Sequence, residues 1–528
     1  MMNKFISLRR DYPKFIYESY AWEWVDVEDG EVCAGGDSDA AGDGTITAVA
    51  ERRALKMSFV FKVLDTNGDE AFVFEPSVLL SVPSVFRYGN RCEGITQSNQ
   101  QINTLVFNCG MVELISYWKA TCSPITQIVC CVLTDEQQAW WKHLYFNGLG
   151  EFFYVNGIDT DEEWFMRLQN PVGEKWLFGD DKNADEQQAH CGTTARNNIM
   201  LVPVGGGKDS CVTLELLKKA DNFHILPFIV NPRGATEKCC ARAGFTAGDI
   251  AVMYRATDPL LLEMNKQGFL NGHTPFSAML AFYSTLAATL IGAKYVVLSN
   301  ESSANEATVT TGGADGGSVN HQYSKSFEFE QDFRKYATQF LSKEIADQAC
   351  NDEKQNNGGQ AEYFSLLRPL SEAYIAKLFS QYPQYFDVFK SCNVGSKTDS
   401  WCGCCAKCLF VYIILAPFLP PEALRKIFNG KNLLDDMSLQ KEFDALVGET
   451  SVKPFECIGT VSEINWALQH SLDKGALLDH YKTLAVSKTQ QSAEKIFALN
   501  PNHALPPLFE DIINGILRLS DTCGCGRR

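Results

Sequence analysis

Six consecutive residues of the chain are of types that together can bind a phosphate group and a metal ion. They are Gly205, Gly206, Gly207, Lys208, Asp209 and Ser210. Backbone amides of a glycine loop and the positive N-terminal end of a following helix form a cradle for phosphate oxygens. Lys208 would add a cation, Asp209 a ligand for Mg²⁺ and Ser210 a hydroxyl. The run therefore predicts a nucleotide-phosphate site.

Spacing separates this loop from two common phosphate loops. A Walker A loop would need glycine at Val202 and Ser or Thr at Asp209. The dinucleotide fingerprint would need glycine or a helix-packing residue at Lys208 and Ser210. The run instead resembles S-G-G-x-D-S, the loop of ATPases that release AMP and pyrophosphate, with Gly205 in place of the first serine. That resemblance implies ATP, with Mg²⁺ held by Asp209; a plain strand-to-helix turn is the alternative.

A second group of reactive residues consists of cysteines near residue 400. Cys392, Cys402, Cys405 and Cys408 follow the pattern Cys-x9-Cys-x2-Cys-x2-Cys, with Cys404 as an additional thiol inside it. Two close cysteine steps and a more distant fourth cysteine are typical of a closed tetrahedral Zn²⁺ site. Four protein ligands leave no position for a substrate, so we expect a structural role. A set of unrelated thiols in a cysteine-rich chain is the alternative.

Polar residues that could act on a substrate follow the glycine loop along the chain. Glu301 and Glu306 lie in a polar stretch after a predicted buried strand, and His273 precedes a predicted core helix. His321 and Lys325 end a glycine-rich segment that is long for a loop inside a compact domain, as a substrate lid would be. Each histidine could equally be an ordinary surface residue. These side chains are therefore candidates for substrate binding or proton transfer.

The elements that must position these residues alternate between strand and helix. Residues 199–204 form an apolar run typical of a strand, which leads into the glycine loop and then an amphipathic helix. Further predicted elements are strands at 223–230, 250–254 and 295–299 and helices from Pro259 and Pro275. Apolar strands separated by helices predict a parallel sheet with helices on both faces. Ligands of such sheets bind at the carboxyl ends of the strands, where the glycine loop and Glu301 would lie.

The remainder of the chain predicts two flanking regions. Alternating apolar runs on both sides of Asn67-Gly68 predict a β-hairpin, and the acidic, glycine-rich segment 28–45 is typical of a disordered loop. Further elements are predicted as helices at 102–120 and 136–157 and a strand at 127–133. After Pro420 the pattern is mostly helical. The predicted domains are an N-terminal α+β domain at 1–190, an α/β pyrophosphate-loop domain with a parallel sheet at 191–420, and a helical C-terminal region at 421–528.

Composition bounds the partners and the compartment. The chain has 528 residues and a formal net charge of −17, which argues against nucleic acid because a phosphate backbone selects an excess of Lys and Arg. The apolar segments 275–294 and 408–419 carry polar residues or are too short to span a bilayer, so we expect no membrane partner. Nineteen cysteines without an apolar signal core at the start predict the reducing cytoplasm. A small molecule is the expected partner, and the oligomeric state stays open.

Nine stretches of the chain, in order, resemble one enzyme family. They are YFNGLGEFFYVNG, VGGGKDS, NGHTP, LSNESSANE, NHQYSKSFEFEQ, YFSLLRPLSE, WCGCCAKCLFVYIILAPF, GKNLLDD and KPFECIG. The glycine loop with the four-cysteine array resembles the cyano-deazaguanine synthase branch of the pyrophosphate-loop superfamily. The nine stretches, which span residues 145–459, are similar to the MurL family, the UDP-N-acetylmuramoyl-L-alanyl-L-glutamate epimerases. The resemblance does not cover segment 28–45 or the residues after 459.

The resemblance implies a reaction. Members of the family invert the terminal L-glutamate of a nucleotide-linked dipeptide precursor of the bacterial cell wall, and they convert ATP to AMP and pyrophosphate. Adenylation of the glutamate carboxylate would cancel its charge and make the α-proton removable. The groups that could carry the proton are His273, His321 and Lys325, with Glu301 and Glu306 behind them and the Cys457 thiol as a further alternative, since cysteine pairs serve cofactor-independent glutamate racemases.

Two other classes of function stay open at this point. A ligase or amidotransferase would form the same acyl adenylate but transfer the acyl group to ammonia or an amine. A nucleotide-binding sensor would bind ATP without turnover, although the intact Lys208, Asp209 and Ser210 after the glycines argue against it.

Overall fold

The computed structural model describes most of the chain. The described residues are 4–27, 52–83, 99–171, 197–305, 309–310, 318–320, 322–342, 360–396, 398–450, 452–488 and 492–522. The predicted disordered segment 28–45 and the candidates Glu306 and His321 lie outside them.

Thirteen strands and seventeen α-helices lie in the described residues. The strands are β1 (Lys14–Val27), β2 (Arg52–Leu64), β3 (Glu70–Phe74), β4 (Ser77–Ser81), β5 (Ile125–Ile128), β6 (Arg167–Gln169), β7 (Asn197–Pro203), β8 (His224–Val230), β9 (Ala251–Ala256), β10 (Ala293–Leu298), β11 (Val309–Thr310), β12 (Ser318–Val319) and β13 (Glu362–Ser365). The helices are α1 (Lys4–Asp11), α2 (Asn99–Trp118), α3 (Asp135–Gly148), α4 (Gly150–Val155), α5 (Lys208–Leu217), α6 (Gly234–Arg242), α7 (Pro259–Lys266), α8 (Phe276–Ile291), α9 (Phe327–Tyr336), α10 (Glu372–Phe379), α11 (Ala406–Leu415), α12 (Pro421–Ile427), α13 (Gln440–Val447), α14 (Val461–Gln469), α15 (Ala476–Tyr481), α16 (Ala493–Ile496) and α17 (Pro507–Thr522). The chain is therefore a mixed α/β protein, as predicted.

The chain divides into two compact units. The first unit comprises Met1–Asn197, Ala247–Lys294 and Asp332–Glu362, and the second comprises Asn198–Thr246, Tyr295–Gln331 and Tyr363–Arg528. Each unit is therefore assembled from three separate stretches of sequence.

The first unit contains a mixed sheet with the strand order β9-β4-β2-β1-β5-β6, and β3 pairs with β2. The pairs β1–β2, β2–β3, β2–β4 and β4–β9 are antiparallel, whereas β1–β5 and β5–β6 are parallel. The predicted hairpin at Asn67-Gly68 is present as β2–β3, and Gly68 adopts a φ of +87° in its turn. Helix α2 packs against α8 and against β1, and its last turns are fully buried.

The second unit contains the predicted strand, glycine loop and helix. Its strands β7 and β8 are parallel neighbours, in the order β13-β10-β7-β8. Every residue of α5 except Asp209 and Glu215 is buried. Helix α5 packs against α10, α10 against α11, and α11 against α13 and α14. These contacts bring the first turns of α5, α10 and α11, which are far apart in the sequence, into one region of the unit.

Two predictions of secondary structure are corrected. The predicted helix 136–157 is two helices, because α3 ends at Gly148 and α4 starts at Gly150, and glycine is a poor residue for a helix interior. A Cβ at Gly148 would lie 2.9 Å from the Pro275 side chain, so this position also needs glycine for packing. The predicted strand 250–254 is present as β9, and its pairing with β4 is antiparallel, so its sheet is mixed and not purely parallel.

Within the described part of the chain, the helices are all too short or too polar to cross a lipid bilayer.

Candidate active site

The glycine loop connects β7 to α5, and its conformation requires glycine at its centre. Gly206 has a φ of +79°, and a Cβ there would lie 3.0 Å from backbone atoms of Ala235 and Thr236. The Gly206 carbonyl accepts a hydrogen bond from the Lys390 amide at 2.8 Å, which holds the loop in place. Gly207 is the N-cap of α5, and no side chain of the described residues caps this helix start. The loop thus presents the positive end of α5 in the arrangement that binds phosphate.

The outer residues of the predicted phosphate motif have different environments. Gly205 is exposed, and its carbonyl accepts a hydrogen bond from Arg233 Nη2 at 3.1 Å. Ser210 is 5% exposed, and its hydroxyl donates to the Gly207 carbonyl at 3.0 Å. The Ser210 hydroxyl therefore stabilises the first turn of α5 in this structure.

The first turns of α5 and α10 meet through a buried ion pair. Lys208 begins α5 and Glu372 begins α10, and the Lys208 ammonium donates to the Glu372 carboxylate and, at 2.5 Å, to Asp209 Oδ1. Lys208 is 2% exposed and Glu372 is 1% exposed. Burial opposes the charged form of Lys208, but the charges of Asp209 and Glu372 outweigh it and raise the Lys208 pKa. The ammonium is therefore held between two carboxylates.

The Asp209 side chain is more exposed than the side chains of Lys208 and Glu372. Its side chain is 29% exposed, compared with 3% for Lys208. Burial favours the neutral acid, but the positive charges of Lys208, Lys407 and Lys325 outweigh it and lower the Asp209 pKa. An ionised carboxylate with an exposed oxygen is what a Mg²⁺ ion requires of a protein ligand. The structure thus places Asp209 where the sequence predicts a metal ligand, beside the glycine loop.

Lys325 and Glu301 lie in the same unit, and the carboxylate of Glu301 is close enough to act on the charge of Lys325. Lys325 Nζ donates to Cys457 Sγ at 3.0 Å, and the Cys457 carbonyl accepts a hydrogen bond from the Lys407 ammonium. Burial opposes the charged form of Lys325, but its hydrogen bond to Cys457 and the negative charges of Glu301 and Asp209 outweigh it and raise the Lys325 pKa. Lys325 therefore remains an ammonium at neutral pH.

A buried arginine fixes the backbone at both of these predicted residues. Arg368 is fully buried and forms an ion pair with Glu330 at 3.0 Å. Its Nη1 donates to the Glu301 carbonyl at 2.8 Å and its Nη2 to the Lys325 carbonyl at 2.7 Å. Arg368 and Glu372 are not among the residues predicted from the sequence, although both lie in the family-like stretch YFSLLRPLSE. Charged residues in so apolar a stretch are the signal that could have identified them, because a buried charge requires a specific partner.

The two predicted histidines are not both placed with this cluster. His273 lies in the first unit, where its Nδ1 is 3.3 Å from Glu151 Oε2. Its backbone is held by Lys119, which is 5% exposed and donates to the His273 carbonyl at 3.1 Å and to Thr274 Oγ1 at 2.6 Å. His321 lies outside the described residues. The structure therefore unites Glu301 and Lys325 with the glycine loop in the second unit, and His273 has a carboxylate partner of its own.

The four predicted zinc ligands are brought together. The sulfur atoms of Cys392, Cys402, Cys405 and Cys408 all lie within 4.8 Å of one another. Cys392 Sγ is 3.9 Å from Cys405 Sγ, and Cys402 Sγ is 3.6 Å from Cys408 Sγ. Tetrahedral zinc with bonds of about 2.3 Å separates its sulfur ligands by about 3.8 Å, so the cluster fits Zn²⁺. Cys404 is exposed and does not belong to the cluster.

Backbone amides near the cysteines also suit thiolates. The Gly395 amide donates to Cys392 Sγ at 3.1 Å, and the Cys408 amide donates to Cys405 Sγ at 3.5 Å. Hydrogen bonds from Cys408 lower the pKa of Cys405 to about 7, although burial opposes this. Cys405 is the N-cap of α11, so a metal at this cluster would fix the start of the helix that carries Lys407.

Comparison with known proteins identifies two matching family domains. The MurL N-terminal domain matches residues 59–347, and the MurL C-terminal domain matches residues 388–499. No solved structure matches the chain.

Three curated relatives carry the name UDP-N-acetyl-alpha-D-muramoyl-L-alanyl-L-glutamate epimerase. The protein of Xanthomonas oryzae pv. oryzae is 33% identical over 75% of this chain and 82% of its own length. The protein of Salinispora tropica is 34% identical over 66% of this chain and 69% of its own length. The protein of a Micromonospora species is 32% identical over 75% of this chain and 83% of its own length.

Proposed function

The chain belongs to the MurL family, and we propose that it inverts the terminal L-glutamate of UDP-N-acetyl-α-D-muramoyl-L-alanyl-L-glutamate, the activity for which its relatives are named. It is then an isomerase of peptidoglycan precursor synthesis, and its substrate is a small molecule. Apart from the names of the relatives, the observation that supports this proposal is the cluster of charged residues around the glycine loop in the second unit. There the partly exposed carboxylate of Asp209, next to a phosphate-type loop, lies within electrostatic range of Lys325.

The proposed chemistry begins with adenylation of the substrate. Removal of the α-proton next to an ionised carboxylate would place two negative charges on one small group. Transfer of AMP from ATP to this carboxylate releases pyrophosphate and cancels the first charge, so that loss of the α-proton gives an enolate with only one. A proton added to the opposite face of the α-carbon gives the acyl adenylate in the D configuration, and water then cleaves it to release the D-glutamyl product and AMP. This order explains why an epimerase would carry a loop of the pyrophosphate-releasing type.

The glycine loop and the start of α5 are proposed to hold the phosphates of ATP. The parallel pair β7 and β8, with the loop directly after β7, supports a pyrophosphate-loop fold for this unit. Asp209 would hold Mg²⁺, which when bound would neutralise the pyrophosphate oxygens. Gly206 keeps the loop close to α6, because only a residue without Cβ fits against Ala235. The Lys208 ammonium fixes the direction of Asp209 through their 2.5 Å contact.

Lys325 is proposed to stabilise the negative charge that develops when the α-proton leaves. Its raised pKa keeps it an ammonium, and a fixed cation at the reacting group lowers the barrier most where water is excluded. Glu301, 4% exposed, contributes the carboxylate that keeps Lys325 charged. His273 and His321 stay predictions as carriers of the proton.

Two further proposals concern the surroundings of the site. Zn²⁺ at the four-cysteine cluster would have a structural role, since its four thiolates fill the coordination sphere. A zinc–thiolate site and the free thiols of the described residues, none of which is in a disulfide, suit the reducing cytoplasm.

The nucleotide products test the proposal. The purified protein, incubated with the UDP-muramoyl dipeptide and ATP labelled in the α-phosphate, should form AMP and pyrophosphate only when the dipeptide is present. Asp209→Ala should lose this reaction, and Asp221→Ala, which changes an exposed aspartate of the same unit, should keep it. ADP and phosphate as products, or an amide formed when ammonia is added, would contradict the proposal.

A further inference from the structure

The cysteine that Lys325 contacts lies in a segment without helix or strand whose backbone carbonyls accept hydrogen bonds from lysine side chains. Residues 453–459 have no regular secondary structure. Lys407 donates to the Cys457 carbonyl, and Lys453 Nζ donates to the Gly459 carbonyl at 3.2 Å. A Cβ at Gly459 would lie 3.2 Å from Glu372 Cβ, so the segment runs directly past the first turn of α10. The position of Cys457 is thus specified, even though its backbone is irregular.

The chemistry of the cluster leaves few groups that can accept a proton. Lys325 in its ammonium form has no free electron pair, so in that form it can donate a proton but not accept one. The thiol of Cys457 can act as a base after it ionises, and an ammonium within hydrogen-bond distance stabilises the thiolate. The Cys457 side chain is intermediate in burial, so it is accessible to a substrate.

Two buried polar groups lie on the turns that carry Glu301 and Lys325. Ser303 and Gln322 are each 5% exposed. Neither the Ser303 hydroxyl nor Gln322 Oε1 has a hydrogen-bond partner among the described residues. The two turns, Ser302–Asn305 and Tyr323–Lys325, contact each other. Buried polar groups are normally satisfied, so the Ser303 hydroxyl is available to donate to a polar ligand and Gln322 Oε1 is available to accept a hydrogen bond from one.

We propose that Cys457, whose sulfur lies 3.0 Å from Lys325 Nζ, removes or returns the α-proton on one face of the adenylated glutamate. This inference rests on the proposed function and names a catalytic residue for it. In the forward step the Cα–H bond breaks, its proton forms the S–H bond of Cys457, and its electron pair becomes the enolate of the acyl adenylate. A second acid gives a proton to the opposite face, and both groups exchange protons with solvent after release of the product. No electron leaves or enters the site, so no oxidant or reductant is needed.

The first test measures exchange and adenylation separately. In heavy water with dipeptide and ATP, Cys457→Ser should lower deuterium uptake at the glutamate α-carbon by about 10²-fold or more, a typical loss for an acid–base group. Pyrophosphate release should fall much less, because the glycine loop is intact. Cys404→Ser, which changes an exposed thiol outside the zinc cluster, is the matched control and should keep both reactions. Deuterium uptake that persists in Cys457→Ser, or a dipeptide bound to Cys457 as a thioester, would overturn the inference.

The second test does not depend on the epimerase reaction. Iodoacetamide should alkylate Cys457 faster than an ordinary thiol at pH 7.5, as followed by peptide mass spectrometry. Lys325→Met should slow this alkylation severalfold, because loss of the neighbouring cation lowers the thiolate fraction at this pH, and Lys325→Arg should restore it. A rate in the wild type like that of an ordinary exposed thiol would refute the thiolate. Wild-type protein that shows fast alkylation but no ATP-dependent exchange would contradict the proposed function and leave the thiolate established.

Discussion

Variants of the buried ion pair between Arg368 and Glu330 can distinguish an effect on stability from an effect on catalysis. Both side chains are buried, with exposures of 0% and 2%, and the guanidinium also donates to the carbonyls of Glu301 and Lys325. Arg368→Met leaves the Glu330 carboxylate buried without its cation, and loss of one partner of a buried pair costs about 3–5 kcal/mol. We expect the free energy of unfolding in urea to fall by that amount.

The double variant Arg368→Met with Glu330→Leu removes both charges. Replacement of a buried pair by apolar side chains of similar volume is often neutral or stabilising, so most of the lost stability should return. Activity should not return, because the carbonyls of Glu301 and Lys325 have lost the donor that positions them. A displacement of about 1 Å at a catalytic group costs about 10²-fold in rate, and we expect a fall in kcat of that size with a smaller change in KM.

The assay combines urea unfolding with the rate of D-glutamyl product formation. A double variant that regains both stability and wild-type kcat would refute a positioning role for Arg368. A single variant that loses less than about 1 kcal/mol would refute the buried charge pair itself, since that loss is typical of an exposed pair.

Three more variants test other parts of the structure. Gly206→Ala should destabilise the protein by about 1–3 kcal/mol and weaken ATP binding, because φ at Gly206 is +79° and the new Cβ would contact backbone atoms. Gly205→Ala should do neither, because the space around its Cβ is open. Equal effects of the two changes would argue against this reasoning. Cys405→Ser should lose the one zinc per chain that elemental analysis should find in the wild type, and Cys404→Ser should retain it; wild-type protein without zinc would disprove the site. Burial, with a smaller effect of Arg255, lowers the pKa of Lys119 to about 8. Between about pH 8 and 10.4, Lys119 is protonated in the unfolded state but not in the folded state. The free energy of unfolding therefore rises with pH in that window, by up to about 3 kcal/mol. Lys119→Met should remove that rise in urea titrations at pH 7.5 and 10, and an unchanged pH dependence would count against it.

The local elements were predictable because they follow from short-range patterns. The strand, the glycine loop and α5 follow from an apolar run, three glycines and an apolar helical face, and the structure contains all three elements. The cysteine cluster was predictable for the same reason, since three of its members lie within seven residues of one another.

The partners of buried charges were not predictable, because they are distant in the sequence. Glu372 lies 164 residues from Lys208, and nothing in the local pattern shows that the Lys208 ammonium is held by that carboxylate. The contact of Lys325 with Cys457 spans 132 residues and depends on how an irregular segment passes the start of α10. The antiparallel pairing of β9 with β4 is likewise a tertiary choice, since an apolar strand suits either direction.

Isotope exchange at the α-carbon is a direct test of ATP-dependent inversion of the glutamate. The wild-type protein is incubated in heavy water with UDP-N-acetylmuramoyl-L-alanyl-L-glutamate, with and without ATP. The glutamate isomers are then resolved on a chiral column, and their deuterium content is measured by mass spectrometry. We expect D-glutamate with one solvent deuterium at the α-carbon when ATP is present, and neither exchange nor inversion without ATP. Pyrophosphate release with glutamate that stays in the L configuration and without deuterium would contradict this expectation.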